Sequence, residues 1–424
     1  MGGLSDVALS VRIDCPEVDV GIGLRSARGG LVDTKIVHGT PWLERAASLT
    51  PLIAARRTPA EAAFRMTPDV RQKVGAAGLF RVGSPVDGTL PMISLEEFIR
   101  VQEELAFADP SVAWAALNSN GAVLLLGRLP TELVPDVLSP STTFVGVGLP
   151  PTGQAERADG TLRVSGRWPV VSGADDADWF MLHCIVRDAG MPDASGAPSE
   201  TKFVPVPRSA VTVEDTWRGV VAVRGSGSNA VSIDAYELSE GRAVSLFGTN
   251  PIRRHALSLI DATSPFALHS LELAAIAAGI GRTAMHAALE QAGTRVSVAT
   301  QASWADWPAV QNTVATAQMA IDGTRLSVFA LASRCQTELD ENGLLSDQTK
   351  AHVHALADHA VRVMRYAVSD LFTVGSIDAL RPGHGLEQSV RDIHGFSVQW
   401  ERYRRLHYSA GRVMLGLTAN DPLF

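Results

Sequence analysis

The hydrophobic period changes twice along this chain of 424 residues, and those changes limit its fold more than any other feature. From Pro41 to about residue 145, apolar side chains recur at three- and four-residue spacing, which predicts amphipathic helices. Between about 146 and 250 they alternate in short runs separated by Gly, Pro, Ser and Asp, which predicts strands. After Pro251 the helical period returns and continues to the end. The sequence therefore predicts helices, then a β-domain, then helices again.

The helical regions carry recognisable start signals. A capping side chain followed by proline or an acidic residue marks the beginning of a helix. Such signals predict helices that begin near Thr58, Thr67, Ser94 and Asp109. After Pro251 the predicted helices are long, and they lie at 268–291 and near 308–340, 346–374 and 386–417. Four long helices with short connections predict a four-helix bundle.

The strand pattern is most regular from Leu162 to Val170, where alternate side chains are apolar. The other predicted strands are 180–186, 203–206, 211–213 and 231–235. Their number and length predict a small barrel or sandwich. The fold class is therefore α+β. Its predicted parts are an N-terminal extension over 1–40, an α-helical domain over 41–145, a β-domain over 146–250 and a four-helix bundle over 251–424.

Composition limits the possible functions. The net charge is −8 and no basic run is present, which argues against a nucleic-acid partner. Three widely spaced cysteines fit a reducing cytoplasm and predict neither a disulfide framework nor a metal site. The most apolar stretch, Ala267 to Ile280, carries His269 and Glu272, so it predicts a buried helix rather than a membrane span. With no secretory signal visible, we expect a cytoplasmic protein without a membrane partner.

Two stretches of the predicted β-domain carry tryptophan with Ser-Gly or Arg-Gly pairs in a fixed order. The first has Trp168 followed by Ser172-Gly173, and the second has Trp217 followed by Arg224-Gly225-Ser226-Gly227-Ser228. Further motifs are Ala77-Gly78-Leu79-Phe80, Asp109-Pro110-Ser111 with Trp114, and Arg391-Asp392. In this order and spacing the motifs resemble the acyl-CoA dehydrogenase superfamily, and within it the two-component flavin-dependent monooxygenases. The similarity extends over about residues 41–420.

The resemblance implies a reaction and its cofactors. Reduced flavin, as FMNH2 or as reduced FAD, would form a C4a-hydroperoxyflavin with molecular oxygen and oxygenate a small organic substrate. That substrate would be aromatic, an amine or sulfur-containing. The chain shows no nucleotide-binding fingerprint, so a separate NAD(P)H:flavin reductase is implied as its partner. The apolar faces of the predicted bundle helices imply a homotetramer.

The resemblance also implies which residues contact the flavin ring. Ser172 would act on the ring through its hydroxyl group, in both a binding and a catalytic role, while Gly173 lets the backbone approach closely. Trp168 would lie beside them. A tryptophan on an alternating strand is also a common core residue, and that structural interpretation of Trp168 stays open.

The Gly/Ser turn would present Arg224, Ser226 and Ser228 to the flavin phosphate or ribityl chain, because such turns expose N–H groups to anions. An ordinary hairpin turn is the structural alternative. Arg391 is a further candidate cofactor contact. Its alternative role is an ion pair with Asp392.

Three residues are candidates for substrate binding: Trp114, Asn118 and Asn120. Polar groups within an otherwise apolar run need an explanation, since burying them without partners is costly. Exposure at a helix end is the alternative. At the position where many relatives carry a pocket histidine this chain has Gln399, and His394 precedes it by about one turn. Gln399 and His394 are therefore the candidate catalytic residues of the last helix, with partial exposure the alternative for His394.

Two other classes of function stay open. An FAD-dependent acyl-CoA dehydrogenase or nitroalkane-oxidase-like enzyme needs a carboxylate as base, and neither Asp378 nor Glu387 lies at the expected place. A relative that has lost flavin and only binds ligands is the second alternative. Gln399 and an extra residue in the loop after Trp217 are consistent with it.

Overall fold

The computed structural model describes residues 41–82, 84, 93–129, 134–139, 142–190, 200–246, 256–297 and 300–424. Within them, residues 41 onward form one unit of helices, a six-stranded sheet and helices again. The predicted fold class is therefore confirmed. The extension predicted for residues 1–40 lies outside the described residues.

The helices before the sheet follow the predicted capping signals in most places. In the described residues they are α1 (Pro41–Ala63), α2 (Pro68–Ala76), α3 (Leu95–Ala108), α4 (Pro110–Leu126) and α5 (Val134–Leu138). Ser94 caps α3 by accepting the Glu97 N–H at 3.1 Å, and Asp109 caps α4 by accepting the Ser111 N–H at 2.8 Å. The helix start predicted at Thr58 is wrong, because α1 continues through Pro59.

One six-stranded sheet lies in the middle of the chain. Its strands are β1 (Val145–Ala158), β2 (Thr161–Trp168), β3 (Trp179–Asp188), β4 (Thr201–Pro207), β5 (Thr212–Glu214) and β6 (Ala230–Ser239). Their order is β4-β3-β1-β2-β6-β5, with β1 and β3 parallel and the other neighbours antiparallel. The sequence did not predict β1, which contains glycines that strands usually lack. Two of them are needed there, because a Cβ at Gly148 or Gly153 would lie 2.7 or 2.0 Å from the Trp168 ring.

The second helical region is built around one long buried helix, α7. The described helices are α6 (Ala256–Thr263), α7 (Pro265–Thr294), α8 (Pro308–Asn342), α9 (Asp347–Thr373), α10 (Gly385–Glu401) and α11 (Arg404–Met414). α7 packs between α3 and α9, so it joins the two helical regions. The single helix predicted over 386–417 is wrong, because the chain breaks at Tyr403 into α10 and α11. Among the helices of the described ranges, none combines the length and apolar character needed to span a bilayer.

A buried ionic cluster joins α1 to α10. It consists of Arg57, Glu61, Glu387, Arg391 and Asp392. Arg57 donates to Asp392 at 2.8 Å, and Arg391 donates to Glu61 at 2.8 Å and to Glu387 at 3.1 Å. Charges at this depth need partners, because leaving one unpaired costs several kcal/mol, roughly 3–5. The ionic cluster therefore fixes the relative position of α1 and α10.

Candidate functional site

The turn after β2 forms one wall of the candidate site. Ser172 is buried there, and Gly173 has a φ of +68°, which glycine adopts without strain. A Cβ at Gly173 would lie 2.4 Å from the ring of Phe144, so a larger residue does not fit. The Gly173 N–H donates to the backbone oxygen of Ser226 at 2.7 Å. The two motifs of the β-domain therefore meet in space.

Three buried hydroxyl groups connect these two motifs, and we call Ser172, Ser226 and Ser228 the serine network. Ser228 donates to Ser172 at 3.0 Å, and Ser226 Oγ lies 2.8 Å from Ser228 Oγ. The indole Nε1 of Trp114 also donates to Ser172 Oγ, at 2.8 Å. A serine hydroxyl accepts two hydrogen bonds and donates one. Ser172 is accepting twice, so its own hydrogen is available for a ligand in the part of the chain that the structure describes.

The loop that carries Ser226 and Ser228 is under backbone strain. Val223 has a φ of +50°, which is a true outlier for a β-branched residue. Its N–H donates to Asp392 Oδ1 at 2.7 Å, so the ionic cluster holds the strained residue in place. Strain of this kind costs about 1–3 kcal/mol and is concentrated at functional sites. Asp392 therefore helps to position the serine network.

One face of α4 borders open space. Although most of this helix is buried, Trp114, Asn118 and Gly121 are half-buried, and we call them the α4 stripe. Their spacing of four and three residues places them on the same side of the helix. A Cβ built on Gly121 would meet no atom within 4 Å. The α4 stripe therefore lines a cavity or cleft rather than a packed contact.

Aromatic rings from three other elements converge near Trp114. We define the aromatic cluster as Trp114 of α4, Phe266 and His269 of α7, Phe396 of α10, and Tyr403 before α11. Ring centroids lie 5.4 Å apart for Trp114 and Phe396, 6.2 Å for Trp114 and His269, and 5.0 Å for His269 and Tyr403. Edge-to-face geometry at these distances is favourable between rings. The aromatic cluster and the serine network share Trp114, so they are two parts of one site.

Two predicted site residues have structural contacts instead. Asn120 is buried, and its amide bridges the Leu79 oxygen at 3.1 Å and the Val82 N–H at 2.8 Å. Trp168 is fully buried in the core of the β-domain and donates its Nε1–H to the His183 oxygen at 2.8 Å. Within the described ranges, neither side chain contacts the aromatic cluster. By contrast, Asn118 lies on the α4 stripe, where its amide nitrogen donates to the Trp114 oxygen at 2.7 Å.

The two predicted arginines differ in their freedom to bind an anion. Arg391 uses its guanidinium for Glu61, Glu387 and the Val221 oxygen, which is the arrangement of a structural ion pair. Arg224 donates its Nε–H to the Val220 oxygen at 3.0 Å. Its two Nη groups have no hydrogen bond within the described residues. Arg224 is therefore the better placed of the two to meet a phosphate.

The two candidates on α10 lie apart from the rings. His394 is exposed, and Gln399 is half-buried. No ring contact or side-chain hydrogen bond in the described parts of the chain joins either of them to the aromatic cluster. The histidine that does belong to the cluster is His269, which the sequence marked only as a polar residue of a buried helix. Burial lowers the pKa of His269 to about 4, so its imidazole is neutral at physiological pH.

A protein-family comparison matches part of this architecture. The model for the C-terminal domain of acyl-CoA dehydrogenases matches residues 271–398. In overall fold, the crystal structure of a 3-HSA hydroxylase from Rhodococcus sp. RHA1 superimposes with a TM-score of 0.79 at 21% identity. That alignment covers 91% of this chain and 100% of the other.

Characterised sequences point to the same group. A pigment production hydroxylase from a Rhodococcus species is 24% identical over 394 residues, covering 91% of this chain and 98% of the relative. The oxygenase component of an FADH2-dependent resorcinol hydroxylase from a Rhizobium species is 26% identical over 349 residues, covering 76% and 81%. Residues 271–398 therefore match the C-terminal domain of acyl-CoA dehydrogenases, and over most of its length the chain is similar to the oxygenase components of two-component flavin-dependent monooxygenases.

These similarities confirm three predictions: the family resemblance, the enzyme class and reduced flavin as cosubstrate. An oxygenase component receives its reduced flavin from another protein, so a flavin reductase is the partner. The donors of the site suit such a ligand. Ser172 has a buried hydroxyl hydrogen to offer, Trp114 supplies an aromatic surface beside it, and Arg224 has unused N–H groups.

Proposed function

We propose that this chain adds one oxygen atom of O2 to a small aromatic substrate held against the aromatic cluster. The observation that carries the proposal is the contact of Trp114 with both the serine network and His269. When bound, reduced flavin supplies the two electrons that reduce O2, so that one oxygen atom enters the product and the other leaves as water. The flavin contacts proposed are Ser172, Gly173, Ser226, Ser228 and, for the phosphate, Arg224.

The residues of the chain would bind, orient and exclude water. The Ser172 hydroxyl would donate to a flavin acceptor, with its direction set by the hydrogen bonds that it accepts from Trp114 and Ser228. The rings of Phe266, Phe396 and Tyr403 would keep water from the reacting atoms. Trp114 and Asn118 would contact the substrate from the α4 stripe.

An acyl-thioester dehydrogenase is poorly supported, because that reaction needs a free carboxylate as base. Asp378 is paired with Arg295 and with Arg381, and these partners lower its pKa. Glu387 belongs to the ionic cluster through Arg391. Neither residue contacts the aromatic cluster in the described portion of the chain. The reaction proposed above requires no such base.

The proposed assembly is a homotetramer supplied by an NAD(P)H-dependent reductase. Large apolar side chains stand exposed on α8 and α9, with Met319 66% exposed, Leu326 53% and Tyr366 58%. Apolar surface of this kind is commonly covered by another subunit. Sedimentation analysis would test the assembly, and a monomer at micromolar concentration would contradict it.

The function is tested by mixing anaerobic protein and reduced FMN or FAD with oxygenated buffer, and following the flavin absorbance with time. We expect the protein to change the course of flavin reoxidation, and a panel of phenols and indoles supplied with ¹⁸O2 to yield a labelled product. Ser172→Ala should weaken reduced-flavin binding, whereas Ser409→Ala, a buried serine elsewhere, should not. Reoxidation at the rate of free flavin, with no labelled product, would contradict the proposal.

A further inference from the structure

His269 is an unusual residue of α7 because one of its ring nitrogens is enclosed without a partner. Its Nε2 is covered from solvent and makes no hydrogen bond within the described ranges. Burying a polar group without a partner costs about 1–3 kcal/mol, so such groups in a native fold call for an explanation. The rings of Trp114 and Tyr403 lie beside it, and neither residue hydrogen-bonds Nε2 in the described part of the chain.

An unpartnered nitrogen is not sufficient by itself, because His354 of α9 has one as well. The surroundings of the two histidines differ. His354 is 0% exposed and anchored, with its Nδ1 2.9 Å from Ser270 Oγ. His269 is only half-buried, and it contacts the member of the α4 stripe that also reaches the serine network. Of the two, only His269 retains partial exposure of its side chain and lies against the candidate site.

We propose that His269 Nε2 hydrogen-bonds the O–H or N–H substituent of an aromatic substrate that lies against the aromatic cluster. The inference rests on the proposed function and adds to it the residue that selects the substrate and the polar group that it selects. In this proposal His269 supplies the hydrogen bond that was predicted for His394 or Gln399. Neither of those residues makes a ring contact or side-chain hydrogen bond to the aromatic cluster in the described residues.

The chemistry of the surroundings supports a neutral hydrogen-bonding role. Burial keeps the imidazole uncharged, so one ring nitrogen accepts and the other donates, and a substrate hydroxyl can satisfy either. The next titratable group on α7, Glu272, is itself buried, and its carboxyl accepts from Gln102 at 3.1 Å. Desolvation raises the Glu272 pKa well above its usual value, so Glu272 does not compete for His269 as a carboxylate.

The test compares two ligands of nearly equal shape, p-cresol and p-xylene, by calorimetric titration of the full-length protein. The measured quantity is the ratio of the two affinities, which cancels the general preference of the pocket for apolar rings. We expect this ratio to be about tenfold higher in the wild type than in His269→Phe, as for one buried hydrogen bond. His269→Asn, which retains a polar group, should recover part of the difference.

A matched variant on the other side of α7 serves as control. His354→Gln should leave the ratio within about twofold of the wild type, because His354 contacts Ser270 rather than the aromatic cluster. Circular dichroism and the melting temperature would verify that each variant is folded. The affinity for reduced FMN, measured anaerobically, should be the same in His269→Phe and the wild type.

The outcomes separate this inference from the function that it extends. An unchanged ratio in His269→Phe, or no binding of either ring compound by the wild type, overturns the role of His269. If the wild type still binds reduced FMN and alters its reoxidation, the proposed function survives that result. If the wild type neither binds reduced FMN nor alters its reoxidation, the proposed function itself is contradicted, and the role of His269 falls with it.

Discussion

Two interior histidines, His269 of α7 and His354 of α9, lie on different sides of α7, and comparing them shows what separates a structural residue from a candidate functional one. Burial lowers the pKa of His269 to about 4 and that of His354 to about 3. The side facing α9 is closed, and Ser270 holds His354 in place there. The side facing α4 brings His269 against Trp114, which also donates to the serine network. Contact with the candidate site, rather than burial or pKa, distinguishes His269 from His354.

The largest effect is expected further along α7, where two glycines pack against α3 and α9. A Cβ at Gly279 would lie 2.6 Å from both the Ala106 Cβ and the Glu103 backbone oxygen of α3. A Cβ at Gly281 would instead meet the Met364 sulfur, also at 2.6 Å, and a methionine side chain can move. We expect Gly279→Ala to lower the free energy of unfolding by about 2–3 kcal/mol. Gly281→Ala should stay within about 1 kcal/mol of the wild type.

Urea denaturation of the two glycine variants provides the measurement. Equal midpoints for Gly279→Ala and Gly281→Ala would show that the α3 and α9 contacts of α7 are equally adaptable.

The second effect concerns acid stability. The pKa of His354 falls from 6.5 in the unfolded chain to about 3 in the folded one, so between these values the unfolded state binds more protons. Its contribution to stability is therefore complete above pH 6.5 and is lost as the pH falls. Between pH 7 and pH 5 the loss from His354 is about 2 kcal/mol. His354→Gln should remove this part of the pH dependence.

His352, exposed on the same helix, supplies the control for that experiment. Unfolding free energies of His352→Gln at pH 5 and pH 7 should differ as in the wild type. Comparing variants is necessary because Asp109, whose pKa burial raises to about 6, changes stability in the opposite direction over this range. Parallel pH profiles for the two histidine variants would contradict the prediction.

A smaller effect should separate structural from functional serines. Ser270→Ala removes the hydrogen-bond partner of His354 Nδ1 and should lower the unfolding free energy by about 1–2 kcal/mol. Its affinity for reduced flavin should not change, because Ser270 faces α9. Ser172→Ala should show the opposite pattern, in which the affinity for reduced flavin falls clearly and the unfolding free energy is the less affected quantity. Anaerobic titration and urea denaturation of both variants would check this, and a flavin defect in Ser270→Ala would contradict it.

The smallest effect is expected at His269 itself. Since its Nε2 has no partner in the described part of the chain, His269→Leu breaks no hydrogen bond there. The free energy of unfolding should change by less than about 1 kcal/mol, in either direction. A loss as large as that of Ser270→Ala would mean that His269 is as structural as His354, and the difference between the two sides would disappear.

Part of the candidate site could be predicted from the sequence because its motifs are local. Ser172 follows a strand and Ser226 and Ser228 lie in a glycine-rich turn, and it was the resemblance of these short motifs to the superfamily that singled out their hydroxyls. Helical spacing could also have separated Asn118, four residues from Trp114 and on its face, from Asn120, which points elsewhere. That signal was present in the sequence and was not used.

His269 could not have been found in this way. Its environment depends on where α4, α7 and α10 cross, and the periodicity of a helix shows which face is apolar but not which partner that face meets. For Trp168 the strand pattern and the motif pointed in different directions, and its burial and its bond to the His183 oxygen agree with the core interpretation that the strand pattern offered. β1 was missed for a similar reason, because its glycines are explained only by the Trp168 ring packed on them.

The ion pair of Arg57 and Asp392 has a consequence for synthesis on the ribosome. The two residues are 335 positions apart, so at about 5–20 residues per second Asp392 follows Arg57 by roughly 20–70 seconds. During that interval Arg57 lacks Asp392 and has only the longer 3.9 Å pairing with Glu61 on its own helix, so it is better solvated than buried. The first helices of a nascent chain therefore cannot settle into their final position until nearly the whole polypeptide has emerged. Chaperone binding during translation should accordingly be concentrated on the segment that begins at Pro41.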